Sequence, residues 1–251
     1  MIQIDSLTLS YGEQVLMSNV SATLKGGELI ALLGRNGSGK STLLRAIGGL
    51  GKITEGKIRL AGKVLSDLQP DEAARTVSFV TTEKIRIPNL KCRDIVALGR
   101  APYTNWIGHL QPQDWKIVTE ALELMGMSAY ADRTTDHMSD GECQRIMIAR
   151  ALTQDTPIIL LDEPTSFLDL PNRYELSILL RKLAHKQHKC VFFSTHELDI
   201  ALTLCDSIVL IDQPQLHYLP TKEMIGSGHI ERLFQNETVT FDPKELRVII
   251  R

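Results

Sequence analysis

The run Gly34-Arg35-Asn36-Gly37-Ser38-Gly39-Lys40-Ser41 follows the pattern G-x-x-x-x-G-K-[ST]. Glycines at those positions let successive backbone N–H groups turn inward around phosphate oxygens, and the start of a helix adds the positive end of its dipole. Lys40 supplies a compact charge for the β- and γ-phosphates, while the Ser41 hydroxyl is a hard oxygen ligand suited to Mg²⁺. A nucleoside triphosphate also needs an acid on the metal side. Asp162-Glu163 offers two, at the end of the apolar run Ile158–Leu161. Asp162 can hold Mg²⁺ through its shell, and Glu163 can polarise an attacking water. An acidic pair after a strand also serves as a plain strand end or helix cap. The glycine loop is what turns the reading toward phosphate chemistry.

These side chains require a rigid frame. Glu28–Leu33 reads as an apolar strand running straight into the glycine loop, and Ser41–Ile47 as the helix after it. Residues 1–25 alternate apolar and polar around Tyr11-Gly12-Glu13, the pattern of an antiparallel hairpin. Lys57–Leu60 and Val77–Val80 are strand-like. From about residue 90 to 153 the period becomes helical: Asp94–Leu98, then Asp114–Met125 with Trp115, Val118, Leu122 and Met125 on one face, then a third helix beginning near Ser139. From Pro157 strand and helix alternate through Ile158–Leu161, Arg173–Ala184, Cys190–Ser194 and Ile208–Ile211. Apolar strands separated by helices predict a parallel sheet covered on both faces, with ligands beyond the carboxyl ends of its strands. Both candidate motifs fall at such ends.

Over 251 residues the chain is 43 % hydrophobic and 23 % charged, which excludes a disordered chain. Its longest apolar runs, such as Leu29–Leu33, fall far short of the ~20 residues a bilayer span needs. A net charge of -2 gives no basic field for nucleic acid, so no nucleic-acid partner is expected. The start MIQIDSLTLSYGEQ has no basic stretch leading into an apolar one, so no cleaved secretion signal is expected. Cys92, Cys143, Cys190 and Cys205 are widely spaced, as expected of reduced packing thiols in the cytoplasm. The segment Ser227–Arg251 carries strand-like pieces at Thr238–Phe241 and Val248–Ile250.

Met138-Ser139-Asp140-Gly141-Glu142 precedes the helical run Cys143–Leu152. Ser139 and Glu142 have capping-box spacing, and the same backbone is a second anion site at a helix N-terminus. The string resembles the LSGGQ signature of ATP-binding cassette ATPases, with Asp140 and Glu142 as departures from it. The resemblance runs from Ile2 to about Ile225. It implies an α/β P-loop fold with a parallel-sheet core, an antiparallel β subdomain and an inserted α-helical subdomain. The whole chain, 1–251, would be one such domain, with a core over approximately 1–85 and 154–225, a helical insertion over 86–153 and a tail over 226–251.

The resemblance also distributes roles. It adds Thr42 to the ATP-binding loop Gly34–Ser41 and puts Tyr11 where an aromatic ring stacks on adenine. Asp162–Asp169 is similar to the family's Walker B segment and D-loop, closed by Asp169. Ser194-Thr195-His196-Glu197 resembles the switch segment, with His196 on the γ-phosphate beside the catalytic Glu163. Ser139, Asp140, Gly141 and Glu142 would contact the ATP of a second copy, in a head-to-tail homodimer using ATP and Mg²⁺. A glutamine that usually contacts Mg²⁺ and water is replaced by Thr82, leaving Glu83 or a bridging water to stand in.

Asp94–Arg100 with Pro102-Tyr103, and Leu168–Arg173, look like the ATPase subunits of importers for iron-siderophore complexes, haem and cobalamin. That implies transmembrane permease partners, a periplasmic or surface substrate-binding protein acting indirectly, and a peripheral place on the cytoplasmic face of the membrane. A groove around residues 83–105, with Ile85, Ile87, Pro88, Tyr103, Trp106 and Ile107 nearby, would receive a permease helix, or would be a small satellite core. The alternative is a soluble cassette ATPase acting in DNA repair or translation. Such relatives carry a long coiled coil or two cassettes, and no heptad run of three repeats occurs here. A phosphoryl-transfer kinase would leave Ser139–Glu142 and His196 unexplained.

Overall fold

The computed structural model describes residues 1–83, 87–104, 108–235 and 238–250. Ile85, Trp106 and Ile107 of the expected groove lie outside them. β1 (Ile2–Tyr11) and β2 (Gln14–Leu24) form the expected antiparallel hairpin. β3 (Leu29–Gly34) then feeds the glycine loop and α1 (Lys40–Ile47). β4 (Glu55–Leu60) and β5 (Lys63–Val64) return to the hairpin and complete a four-stranded antiparallel sheet of order β2-β1-β4-β5. After α2 (Pro70–Thr76) and β6 (Val77–Val80) come three helices, α3 (Cys92–Ala97), α4 (Pro112–Leu124) and α5 (Asp140–Thr153), which pack on one another. The chain goes on through β7 (Ile158–Leu161), α6 (Leu170–Gln187), β8 (Cys190–Ser194), α7 (Leu198–Leu204) and β9 (Ser207–Asp212). β10 (Gln215–Pro220), α8 (Thr221–Gly226), α9 (His229–Phe234) and the hairpin β11 (Val239–Asp242) with β12 (Arg247–Ile250) close it.

The second sheet has six strands in the order β10-β9-β3-β8-β7-β6, parallel except for the antiparallel edge β10. Every residue of β3, β7 and β8 is buried, because alternate side chains enter two different cores. Ile30, Leu32, Leu160 and Phe192 pack with the antiparallel sheet and α1, beside Leu7 and Leu43. Ala31, Leu33, Ile159, Leu161 and Phe193 pack with Ile146, Leu180 and Ile200 of the helices on the other face. Each phenylalanine so buried contributes about 2–3 kcal/mol.

The expected α/β architecture is present, with local differences. Trp115 is 38 % exposed, whereas Val118, Leu122 and Met125 are buried. The apolar face of α4 thus begins one turn later than the spacing suggested. α6 starts at Leu170 rather than Arg173, since the Asp169 side chain accepts from the Asn172 N–H and Pro171 sits in the first turn. The short helices α2, α7, α8 and α9 and the strands β5 and β10 are additions. None exceeds seven residues, too short for a periodic pattern to declare itself.

The Leu98–Tyr103 stretch ties the three helices to the core. A side chain at Gly99 would collide with the Arg150 carbonyl and the Thr153 hydroxyl of α5. The buried Arg100 donates to Asp114 Oδ1 at 2.8 Å and to the Thr153 carbonyl at 2.9 Å, with its guanidinium carbon 4.0 Å from the Tyr103 ring centre. Tyr103 in turn donates to the Gln154 carbonyl, and Gln154 donates to the Ala74 and Val77 carbonyls.

Candidate functional site

β3 delivers the glycine loop to the carboxyl edge of the parallel sheet. Gly37 and Gly39 have φ of 74° and 100°, where a Cβ is strained, and a Cβ on Gly39 would also lie 3.1 Å from Leu16 Cδ1. The loop therefore bends tightly against β2. Lys40 is only 6 % exposed and folds back to donate to the Gly34 carbonyl (3.0 Å) and the Arg35 carbonyl (3.2 Å). Burial pulls its pKa below the usual lysine value, while the Glu163 and Asp162 carboxylates oppose that shift. A buried, underneutralised cation suits a polyphosphate.

The acids come from the neighbouring strands. Leu161 pairs with Val80 on one side and Phe193 on the other, so Asp162 emerges beside Ser194. Asp162 Oδ1 accepts from Ser194 Oγ at 2.6 Å, its N–H donates to the Val80 carbonyl at 2.9 Å, and its carbonyl accepts from Thr82 Oγ1 at 3.1 Å. Glu163 adopts a left-handed φ of 48°, and its Oε1 lies 2.8 Å from His196 Nε2. A carboxylate accepts only, so that imidazole nitrogen carries the proton.

Tyr11, Gln14, Leu16, Asn36, Gly37, Gly39, Lys40, Ser41, Thr42, Glu163 and His196 line one cavity of about 470 Å³. Tyr11 stands at its rim, 76 % exposed, free to lie against a planar ring. Gly34 and Ser38 form the back of the loop, and Ser38 Oγ is buried with no hydrogen-bond partner. Arg35 turns its side chain away from the loop's concave face. Its Nε donates to the Leu233 carbonyl of α9 at 3.0 Å, and it does not line the cavity.

Ser139, Asp140, Gly141 and Glu142 do not line the cavity either. Ser139 caps α5, its hydroxyl accepting from the Glu142 N–H, while Glu142 Oε2 accepts from the Ser139 N–H and hydroxyl, each at 2.8 Å. The Tyr130 hydroxyl first, then those two Ser139 donors, hold the Glu142 carboxyl below the usual range. A Cβ on Gly141 would lie 3.0 Å from Leu168 Cδ2 and 3.1 Å from the Phe167 carbonyl. Asp169 is occupied in capping α6. The loop that lacks the glutamine is likewise engaged: Thr82 holds the Asp162 carbonyl, and Glu83 pairs with Arg45 at 2.7 Å, well exposed.

Two groups were not singled out by the motifs. Ser194 Oγ bonds both the Asp162 carboxylate and the Glu163 N–H. Glu197 Oε1 accepts from Thr165 at 3.1 Å and pairs with Arg173 at 3.1 Å, while Arg173 Nε donates to the Leu168 carbonyl. Burial raises the Glu197 pKa, and Arg173 opposes this.

The donor set fits Mg²⁺. Ser41 and Asp162 are hard oxygen donors, and no group of three or more metal-ligating side chains occurs among the described residues. Mg²⁺ is commonly held in this way, by one or two protein oxygens with the nucleotide's own phosphates completing the shell.

The family profile for ABC transporters matches residues 17–166. The petrobactin import ATP-binding protein FpuD of Bacillus anthracis is 35 % identical over 239 residues, covering 94 % of this chain and 88 % of that protein. A solved metal-chelate type ABC transporter in an inward-facing conformation superposes with a TM-score of 0.81 at 27 % identity, covering 99 % of this chain and 94 % of the other. The cassette MJ0796, solved as a dimer in a post-hydrolysis state with ADP and Pi, gives a TM-score of 0.77 at 29 % identity over 88 % of this chain and 99 % of that one. This chain belongs to the ABC transporter family. Its activity is ATP hydrolysis, with ATP and Mg²⁺ as cofactors.

Proposed function

We propose that the chain is the ATP-hydrolysing subunit of an importer for iron chelates, working as a head-to-tail homodimer on a membrane permease. The observation that carries this reading is the division of the site. The glycine loop, Glu163 and His196 line one cavity, with Asp162 immediately before Glu163, while Ser139–Glu142 begin a helix outside it. A second copy, turned end for end, would bring its Ser139 and Gly141 to the γ-phosphate.

Within each site Tyr11 would stack on adenine, and the loop N–H groups would surround the phosphates. Lys40 would exchange the Gly34 and Arg35 carbonyls for phosphate oxygens. Ser41 and Asp162 would hold Mg²⁺, which when bound neutralises charge on the β- and γ-oxygens. Glu163 would accept a proton from the attacking water, and the Nε2–H of His196, which hydrogen-bonds Glu163 here, would turn to the γ-phosphate. Thr82 acts on the acids through the Asp162 carbonyl. No helix among the described residues is long and apolar enough to cross a membrane, and attachment at the cytoplasmic face would run through the permease. An apolar groove of about 650 Å³, lined by Leu50, Ile53, Leu65, Leu68 and Phe79 among others and by no titratable side chain, supports such a contact. A substrate-binding protein would act on the permease and not on this chain.

The test uses Glu163→Gln, which keeps shape but loses the base. It is expected to retain ATP binding, to lose hydrolysis by about 10²–10⁴-fold, and to elute as a dimer with ATP and a monomer without it. Uptake of labelled ferric siderophore, haem or cobalamin in cells lacking the chain assigns the cargo. Loss of none of the three would refute the importer reading.

A further inference from the structure

We propose that Ser194 is a positioning residue for hydrolysis, its single hydroxyl setting the Asp162 carboxylate and the Glu163 backbone together. This rests on the reading of Asp162 as the metal-side acid and Glu163 as the base. Ser194 is the last residue of β8 and wholly buried. Its Oγ donates to Asp162 Oδ1 at 2.6 Å and accepts from the Glu163 N–H at 2.9 Å. The direction of both bonds is fixed by chemistry: an ionised carboxylate only accepts, an amide N–H only donates, and a hydroxyl does one of each. The hydroxyl proton therefore has one place to go, and Asp162 keeps its other oxygen for the metal side.

Glu163 needs such support. Its φ of 48° is uncommon for a residue with a side chain, and that conformation aims its carboxylate at His196. Ser194 takes the N–H of this residue, and Ser166 gives its N–H (3.2 Å) and hydroxyl (3.0 Å) to the carbonyl. The hydroxyl is not needed for the sheet itself, since the backbone of Ser194 is paired in the ladder with Leu32. Its two bonds go only to the acids, and two residues further along the chain stands His196. One side chain thus holds the Asp162 carboxylate and the Glu163 backbone in a common frame.

Ser194→Ala, Ser194→Cys and Ser194→Thr separate this from a packing role, with Glu163→Gln measured beside them. In the nucleotide-free chain, amide exchange at Glu163 is followed. With ADP, the Mn²⁺ concentration for half-saturation is read by electron spin resonance, and with ATP the rate is measured against Mg²⁺. Ser194→Ala is expected to speed Glu163 exchange and to raise half-saturating Mn²⁺ by about 10–100-fold, as for other residues that orient metal ligands. Affinity for metal-free ADP should match wild type, and Ser194→Thr should restore the metal constant. If Ser194→Ala does not fold, Ser194→Cys, close in volume and a weak donor, is judged by the same criteria. A wild-type metal constant with wild-type exchange overturns the proposal, and so does an equal loss of metal-free ADP binding. Undiminished hydrolysis by Glu163→Gln would instead overturn the reading of Glu163 as base.

Discussion

Replacing Arg100 by methionine removes a buried guanidinium while keeping most of its aliphatic stem. Asp114 Oδ1 then loses its donor at 2.8 Å, the Thr153 carbonyl loses its donor at 2.9 Å, and the Tyr103 ring loses a cation 4.0 Å from its centre. Breaking a buried ion pair costs about 3–5 kcal/mol, because the surviving charge stays behind. Asp114 Oδ2 still accepts from the Gln111 N–H at 2.9 Å, which puts the expected loss at the lower end, about 3 kcal/mol. For a chain of this size that lowers the thermal midpoint by roughly 6–12 °C. Removing the charge left behind, in Arg100→Met/Asp114→Leu, should recover at least half of the loss. The pH dependence has a definite sign. The Gln111 N–H first, and Arg100 after it, hold the Asp114 pKa below its ordinary value of 3.8. The stabilisation is therefore complete above that value and fades as the pH falls through the lower, folded one. Thermal and urea melts of the three proteins, from neutral to acid pH, measure all of this. A loss under about 1 kcal/mol for the single variant, or a double variant no more stable than the single, would refute the reasoning.

Lys40→Ala should abolish tight Mg²⁺-ATP binding and hydrolysis, since nothing else in the cavity offers a buried cation; equilibrium binding of a fluorescent ATP analogue measures it. Tyr11→Ala should weaken ATP by about 5–100-fold, as for loss of one base–aromatic stack, while Tyr11→Phe leaves it intact; calorimetry decides. Glu83→Ala should leave turnover unchanged, because Glu83 faces Arg45. Thr82→Ala should slow it, because the Asp162 carbonyl loses its donor, and steady-state rates at saturating Mg²⁺ distinguish the two.

Legibility in the sequence followed how local the physics is. The glycine loop and the Asp162-Glu163 pair were readable because each job belongs to consecutive backbone and a strand end. The Ser139–Glu142 capping box was readable because its two residues are one helical turn apart. Ser194 was not, because its task depends on the register that sets β8 against β7, 32 residues away from Asp162. Arg35 matched the loop pattern, yet its guanidinium was claimed by a carbonyl 198 residues along the chain. Thr82 departs from the family pattern, but only the path of the strands reveals that its hydroxyl turns to the Asp162 carbonyl. Gly99 and Arg100 were read as a family likeness, and packing against α5 supplies their physical reason.

The tight seat of Gly141 has a consequence for timing. Ser166 bonds the Glu163 carbonyl, Phe167 follows Ser166, and a Cβ on Gly141 would crowd the Phe167 carbonyl and the Leu168 side chain. The turn after the base and the start of α5 are thus in direct contact. In the proposed head-to-tail pair the two ends of that contact would face different nucleotides, Glu163 its own and Ser139 with Gly141 the other copy's. A shift of Glu163 when one γ-phosphate departs would then reach the grip on the second nucleotide through covalent chain and contact. In that pair the two turnovers would not be separate clocks, and a lag or alternation between them would originate at the close seat of Gly141.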